Sequence, residues 1–167
     1  VRIFSNDQAF AALKNNGSVV TWGRPSCGGD SQATLSGYEF YDVIDKSSEL
    51  SSGVVEIFST SKAFAALKKD GSVVTWGLAG EYNYGADSSS VASALESGSW
   101  FRRMALWHPV FVEIFSNWGA FAALKEDGSV VTWGDWWNGG KSIWVSSELS
   151  SGVVEIFSSW GAFAALK

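Results

Sequence analysis

The chain has 167 residues, an apolar fraction of 46%, a charged fraction of only 17% and a formal net charge of −5. Its length is sufficient for one domain with a buried core, and its negative charge disfavours nucleic acid as a partner, because nucleic-acid-binding proteins present a basic face to the phosphates. One cysteine, Cys27, and one histidine, His108, exclude an intrachain disulfide and a Cys/His zinc site, so we predict neither a metal nor a cofactor. No apolar run approaches the roughly 18 to 20 residues that a membrane-spanning helix needs.

A repeated unit organises the chain. The pattern Arg/Glu-Ile-Phe-Ser begins at positions 2, 56, 113 and 155, and Ala-Phe-Ala-Ala-Leu-Lys begins at positions 9, 63, 120 and 162. A third segment, Gly-Ser-Val-Val-Thr-Trp-Gly, begins at positions 17, 71 and 128. The connectors between these segments differ in length, which is typical of a constant scaffold with variable loops. We divide the chain into three full units and a partial fourth, at approximately 1–53, 54–111, 112–152 and 153–167, within a single repeat domain.

Each unit predicts antiparallel β-strands. The first segment is β-branched and aromatic, as in Val54-Val55-Glu56-Ile57-Phe58, which favours a strand. The alanine-rich segment 63–68 has the propensity of a helix, but a turn signal follows it at once. Asn-Gly or Asp-Gly stands at 16–17, 70–71 and 127–128, where a hairpin needs a positive φ. We therefore predict a hairpin rather than a helix, and an all-β fold class.

The same pattern predicts how the sheets pack. Small alanines in the second strand allow neighbouring sheets to approach closely, while the phenylalanine between them fills the gap at positions 10, 64, 121 and 163. Trp22, Trp76 and Trp133 are expected to pack on the neighbouring unit. The serine-rich stretches 47–53, 88–98 and 146–152 are expected to hold a short turn or helix, with Leu50, Leu95 and Leu149 as buried anchors.

This unit resembles the RCC1-type β-propeller repeat. Val55-Glu56-Ile57 matches the opening of that repeat, Ala66-Leu67-Lys68 its middle, and Asp70-Gly71-Ser72-Val73 with Trp76-Gly77 its end. The Gly-x-x-His that the family places before the central strand is absent, and Ser59-Thr60-Ser61-Lys62 stands there instead. The resemblance implies propeller-like blades. Propellers close with about four to eight blades, and three and a half units are too few. We therefore expect the chain to be a piece of a longer polypeptide that forms a larger propeller; the alternatives are that several copies assemble or that the connectors supply the missing strands.

Two sets of residues are candidates for chemistry. Glu56, Glu113 and Glu155 could suggest paired carboxylates for glycoside cleavage, but their identical position in every unit favours the same local role on an exposed strand. His108 could act as a base or a ligand, and it lacks nearby acidic residues that would orient it. We therefore predict no catalytic residue and no enzymatic activity.

The aromatic connectors are the strongest functional signal. Exposed Trp and Arg are typical anchors of protein interfaces, and the connectors carry both types. The open question is whether these indoles are exposed or pack between the blades. We predict partner binding by Arg102, Arg103, Trp107, Trp136, Trp137 and Trp144.

These observations favour an interaction or structural scaffold module that is a subunit or fragment of a larger assembly, with other protein chains as partners. A carbohydrate-binding, lectin-like propeller is the alternative, because indole faces also stack on sugar rings and the same loops would then bind glycans. A weaker alternative, regulation of a small GTPase, is implied by the RCC1 resemblance alone. The sequence names no compartment.

Overall fold

The computed structural model describes residues 1–31, 45–79, 83–95 and 111–167. It confirms the predicted all-β fold class, since its strands form antiparallel sheets and its helical segments are single turns of three or four residues. Three sheets have three strands each and a fourth has two, and we call them blades 1 to 4. The strands are β1 (Arg2–Ser5), β2 (Ala9–Leu13) and β3 (Val19–Gly23) in blade 1; β4 (Val54–Ser59), β5 (Ala63–Lys68) and β6 (Val73–Gly77) in blade 2; β7 (Phe111–Ser116), β8 (Ala120–Lys125) and β9 (Val130–Gly134) in blade 3; and β10 (Glu155–Ser158) and β11 (Phe163–Leu166) in blade 4.

The repeated sequence produces a repeated strand register. In blade 2, Phe64 lies opposite Trp76 and Ala66 lies opposite Val74. Blades 1 and 3 have the same register between their second and third strands. The alanine-rich segment is therefore a central strand, as predicted, and its two neighbours satisfy its backbone hydrogen bonds on both sides.

The hairpin between β5 and β6 shows why an acid and a glycine stand together there. Gly71 has φ +82°, a left-handed conformation that glycine adopts without the steric cost of a Cβ. Asp70 Oδ1 accepts hydrogen bonds from the Ser72 amide at 3.0 Å and from its hydroxyl at 2.6 Å. Asn16 accepts the same two bonds from Ser18 in blade 1. The predicted hairpin turn is therefore confirmed.

The blades stack through their apolar faces. The side chains of Phe64, Ala66 and Trp76 share one buried cluster with Leu13 and Cys27 of the blade 1 region, while Ala63 and Ala65 face the opposite way into a cluster with blade 3. The three alanines are fully buried. This confirms that small side chains on the central strand allow close approach of adjacent sheets.

Short helical turns lie in the connectors between blades. They precede the first strand of blades 2, 3 and 4, and they also follow the third strand of blades 1 and 3. Leu50 and Leu95 are buried in them, as predicted, and Leu149 is half-buried. Lys68 Nζ reaches back from β5 to the Glu49 carbonyl at 2.7 Å, which fixes one of these turns against its blade. The 3₁₀ turns are Pro25–Cys27, Glu49–Ser51, Ser89–Val91, Trp136–Asn138, Ile143–Val145 and Glu148–Ser150, and a single helical turn, α1, spans Ala92–Leu95.

A line of backbone hydrogen bonds connects the turns between the first and second strands of successive blades. The Asp7 amide donates to the Ser61 carbonyl at 3.2 Å, Ser61 donates to Trp118 at 2.9 Å, and Trp118 donates to Trp160 at 3.1 Å. These four residues occupy the same position in their units. Adjacent blades are therefore joined along this edge by backbone hydrogen bonds, which do not depend on the identity of the side chains. Within the described residues, no helix is long and apolar enough to cross a membrane.

Candidate interaction surfaces

Tryptophan has a structural use at the end of each third strand. The indole of Trp76 stacks on Phe64 with ring centroids 5.2 Å apart, and Trp133 stacks on Phe121 at 5.3 Å. Each indole N–H donates to a glycine carbonyl of the preceding blade: Trp76 Nε1 to Gly28 at 3.1 Å and Trp133 Nε1 to Gly85 at 3.2 Å. These two tryptophans are anchors between blades, because a buried indole needs a partner for its single donor.

In blade 1, the corresponding tryptophan, Trp22, is not an anchor between described blades. Trp22 stacks on Phe10 within its own blade at 5.4 Å, but it is 42% exposed and Phe10 is 43% exposed. No described blade precedes blade 1 to cover this side of it, so the packing of Trp22 on a neighbouring unit stays a prediction. The predicted filling role of the phenylalanines holds for Phe64 and Phe121, while Phe163 of blade 4 is half-buried.

A different set of tryptophans faces solvent in the connector after β9. Trp136 is 57% exposed, Trp137 89% and Trp144 81%. The planes of Trp136 and Trp137 are 21° apart with centroids at 6.4 Å, and Lys141 Nζ lies 4.7 Å from the centre of the Trp136 ring. That distance is typical of a cation–π contact. We call Trp136, Trp137, Lys141 and Trp144 the tryptophan surface.

The local fold explains why Trp136 and Trp137 point outward. Asp135 precedes the 3₁₀ turn and its carboxylate accepts hydrogen bonds from the Trp137 amide and the Asn138 side chain. The Asn138 side chain is buried below the turn, and Gly139 closes the turn with φ +86°. The inward position is thus filled by the asparagine, which leaves the two indoles outside.

Blade 1 carries the same turn with other side chains. Pro25–Cys27 also forms a 3₁₀ turn closed by a left-handed glycine, Gly28. Ser26, which corresponds to Trp137, is buried there, and Cys27, which corresponds to Asn138, is buried as well. One backbone scaffold therefore supports a closed surface on blade 1 and an aromatic surface on blade 3.

A second aromatic cluster runs across blades 2 to 4 beside the backbone line. The Trp118 ring stacks on Trp160 at 5.2 Å and meets the Tyr84 ring edge-on at 5.1 Å, and Lys62 Nζ lies 4.8 Å from the centre of Tyr84. Trp160 is at the exposed end of this aromatic column. The indole of Trp118 therefore packs against rings of the neighbouring blades, whereas the indoles of the tryptophan surface are exposed to solvent.

The structure thus brings together some predicted site residues and not others. Trp136 and Trp137 are adjacent, and Trp144 lies exposed in the same connector. Arg102, Arg103 and Trp107 lie outside the described residues, as does His108. Sequence reasoning missed Lys62, Tyr84 and Lys141. Only Lys141 lies close in sequence to connector tryptophans, Trp137 and Trp144, and that closeness does not identify a ring contact.

The repeated acids have local roles. Glu56 forms an ion pair with Arg2 at 2.6 Å between blades 2 and 1, and the side chains of Glu113 and Glu155 are exposed. Partial burial raises the pKa of Asp70, but the hydrogen bonds from Ser72 outweigh it and hold the pKa below its usual value. In the part of the chain that the structure describes, no three His, Cys, Asp or Glu side chains group as a metal site would require.

Several chains of solved structures are similar to this chain. No protein-family model matches the chain, and no curated protein matches it. The chain is similar to part of the crystal structure of Kap60 bound to yeast RCC1 (Prp20), with 20% sequence identity and a TM-score of 0.45. The match covers 80% of this chain and 29% of that one, so the chain spans less than a third of the length of the protein it matches. The assignment of blades therefore depends on the strand register and packing of this chain itself.

Proposed function

We propose that the protein is a non-enzymatic interaction module that binds other protein chains through the tryptophan surface. The observation that carries the proposal is the exposure of Trp136, Trp137 and Trp144 on one connector, in a fold that buries Trp76 and Trp133 between blades. Exposed apolar patches are typical of interaction sites, and the rings of Trp136 and Trp137 lie together, with centroids 6.4 Å apart. Tryptophan is also the residue most enriched among the side chains that dominate binding energy.

The polar groups around these indoles favour a protein partner. A sugar site combines an open aromatic face with hydrogen-bonding side chains that are free to contact hydroxyl groups. Here the carboxylate of Asp135 and the amide of Asn138 bond to each other and to the turn, and Lys141 lies over Trp136. What the surface offers outward is apolar ring area beside one cation, which matches the composition of a protein interface core.

Site-specific photocrosslinking tests this proposal. A photoreactive phenylalanine analogue is placed at position 137, and in a second variant at position 157, where Phe157 is an exposed aromatic outside the surface. We expect discrete protein adducts from position 137 in native extract, absent from position 157 and lost when Trp144→Ala is added. Adducts of equal pattern at both positions would refute the proposal. Binding to a glycan array that Trp137→Ala abolishes, without protein adducts, would support the lectin-like alternative instead.

A further inference from the structure

The tryptophan surface offers hydrogen-bond donors that the fold does not use. The two buried anchors, Trp76 and Trp133, each donate the indole N–H to a glycine carbonyl. Within the described residues, neither Trp136 nor Trp137 has a partner for this group. Lys141 is exposed, and its ammonium group lies over the Trp136 ring. The surface therefore presents three donor groups beside its aromatic rings.

The acceptors of the same turn are already in use. The Asp135 carboxylate accepts hydrogen bonds from the Trp137 amide and the Asn138 side chain. The backbone carbonyls of Asp135, Trp136 and Asn138 accept hydrogen bonds from amide groups within the fold. What this turn displays to a partner is therefore aromatic and rich in donors.

Blade 1 shows that this turn stays open beside a complete blade. Pro25, the counterpart of Trp136, is exposed although blade 2, which follows it, has all three strands. Ser26, the counterpart of Trp137, is held within its own turn, where its hydroxyl accepts a hydrogen bond from Arg24 Nε at 3.0 Å. In blade 3 the corresponding side chain is a carboxylate that bonds to the turn itself. The exposure of the two indoles therefore depends on the side chains of this turn and not on the number of strands in blade 4.

The two rings lie side by side without closing on each other. Their planes are 21° apart and their centroids are separated by 6.4 Å, whereas the Phe–Trp pairs within the blades have centroids 5.2 to 5.4 Å apart. Nearly parallel, exposed aromatic faces are the feature that proline-rich segments in the polyproline II conformation dock against.

A proline-rich segment also has the complementary hydrogen-bonding groups. Proline lacks a backbone N–H and keeps its carbonyl, so consecutive prolines present acceptors and no donors. In polyproline II these carbonyls make no internal hydrogen bonds. A β-strand or a sugar would bring donors as well, because other residues carry an N–H and each hydroxyl an O–H. Those donors would meet a turn whose carboxylate is already occupied.

We propose that the tryptophan surface binds a proline-rich segment of a partner protein in the polyproline II conformation. Trp136 and Trp137 pack against the proline rings, and their indole N–H groups, together with the Lys141 ammonium group, donate to the carbonyls of the segment. The segment is already extended before it binds, so little conformational entropy is lost. This inference rests on the proposed function, because it specifies the protein chemistry that the same surface binds.

The test uses a labelled peptide of about ten consecutive prolines, which spans several turns of polyproline II. Fluorescence anisotropy is measured while the full 167-residue chain is titrated into the peptide. The control peptide has the same length and consists of Gly-Ser repeats, which are flexible and retain their N–H groups. We expect saturable binding of the proline peptide only. If the proline peptide does not bind while position 137 still yields discrete protein adducts, this inference fails and the proposed function stands.

An acidic peptide separates recognition by the rings from attraction to charge. Lys141 is the one cation of the tryptophan surface, and a glutamate peptide of the same length would be drawn to it. We expect this peptide to bind about tenfold or more weakly than the proline peptide, because the net charge of −5 repels it. Equal or tighter binding of the glutamate peptide would overturn the inference and assign the surface to acidic segments.

Four variants of the chain locate the binding of the proline peptide. Trp136→Ala and Trp137→Ala each remove a ring and should weaken binding about tenfold or more. Trp137→Phe keeps an aromatic ring without the indole donor and should weaken it about twofold to tenfold. The matched control Trp160→Ala removes an exposed tryptophan of blade 4 and should leave the affinity unchanged. An equal loss in the control, or an unchanged affinity in both Trp137 variants, would overturn the inference.

Discussion

Identical segments in different blades allow a direct measurement of how much the contacts between blades stabilise the fold. Phe10 and Phe64 occupy the same position in Ala-Phe-Ala-Ala-Leu-Lys, and both stack on the tryptophan of their own blade. Phe64 is fully buried against the preceding blade, whereas Phe10 is 43% exposed. Replacement by alanine therefore removes the same stacking contact in both cases, but removes packing between blades only at Phe64.

The expected magnitudes differ accordingly. Phe64→Ala should lower the free energy of unfolding by about 3–5 kcal/mol, the range for a phenylalanine deleted from a packed core. Phe10→Ala should cost about 1–2 kcal/mol, from partial burial and one aromatic pair. Urea unfolding followed by far-ultraviolet circular dichroism measures both. Equal losses in the two variants would refute the argument that blade 2 is anchored on blade 1 through this ring.

Three further predictions concern other features of the blades. Gly85→Ala places a Cβ directly against the Phe121 ring of β8 and should destabilise the fold by about 2–5 kcal/mol. The matched control Gly53→Ala, where the nearest atom lies at 3.4 Å, should cost about 1–2 kcal/mol. Thermal melts compare the two variants. Because the folded state lowers the pKa of Asp70, the ionised carboxylate stabilises the fold at neutral pH, and this stabilisation is lost as the pH falls through the folded-state pKa. Asp70→Asn keeps the acceptor for Ser72 and should make the free energy of unfolding less dependent on pH in acid titrations. An unchanged acid profile would contradict this. Trp137→Ala should change the free energy of unfolding by less than about 0.5 kcal/mol, and a larger loss in urea would mean that its ring packs against the fold.

The strands were predictable from the sequence because their signals are local. Asp70-Gly71 indicates a hairpin because the turn needs a positive φ that glycine adopts readily. The segment Val-Val-Thr-Trp favours a strand because its residues are β-branched or aromatic. Repetition then excluded a helix for 63–68, since the same turn signal follows the alanine-rich segment in three units. The interaction of Trp76 with the neighbouring blade could also be anticipated from the need to bury a large ring.

The exposure of the connector indoles could not be predicted, because it depends on which side chain fills the inside of a turn. Trp137 and Ser26 occupy the same position in the same 3₁₀ turn, and one is exposed while the other is buried. Likewise, Trp118 and Trp160 contact each other only because the backbone line brings equivalent turns of adjacent blades together. Such contacts join residues that are distant in sequence, and no local pattern identifies them.

Backbone amide hydrogen exchange tests the arrangement of blades most directly. β5, β8 and β11 share one sequence, so the intrinsic exchange rates of their amides are nearly the same, and differences report their structural position. Since β5 and β8 have a strand on either side, all their amides should be protected. Alternate amides of β11 should exchange at least about a hundredfold faster, because they point to its free edge. Protection is measured residue by residue by nuclear magnetic resonance on the 167-residue chain at low protein concentration. Uniform protection across the three strands would contradict the strand order in which β5 and β8 are central strands and β11 pairs only with β10.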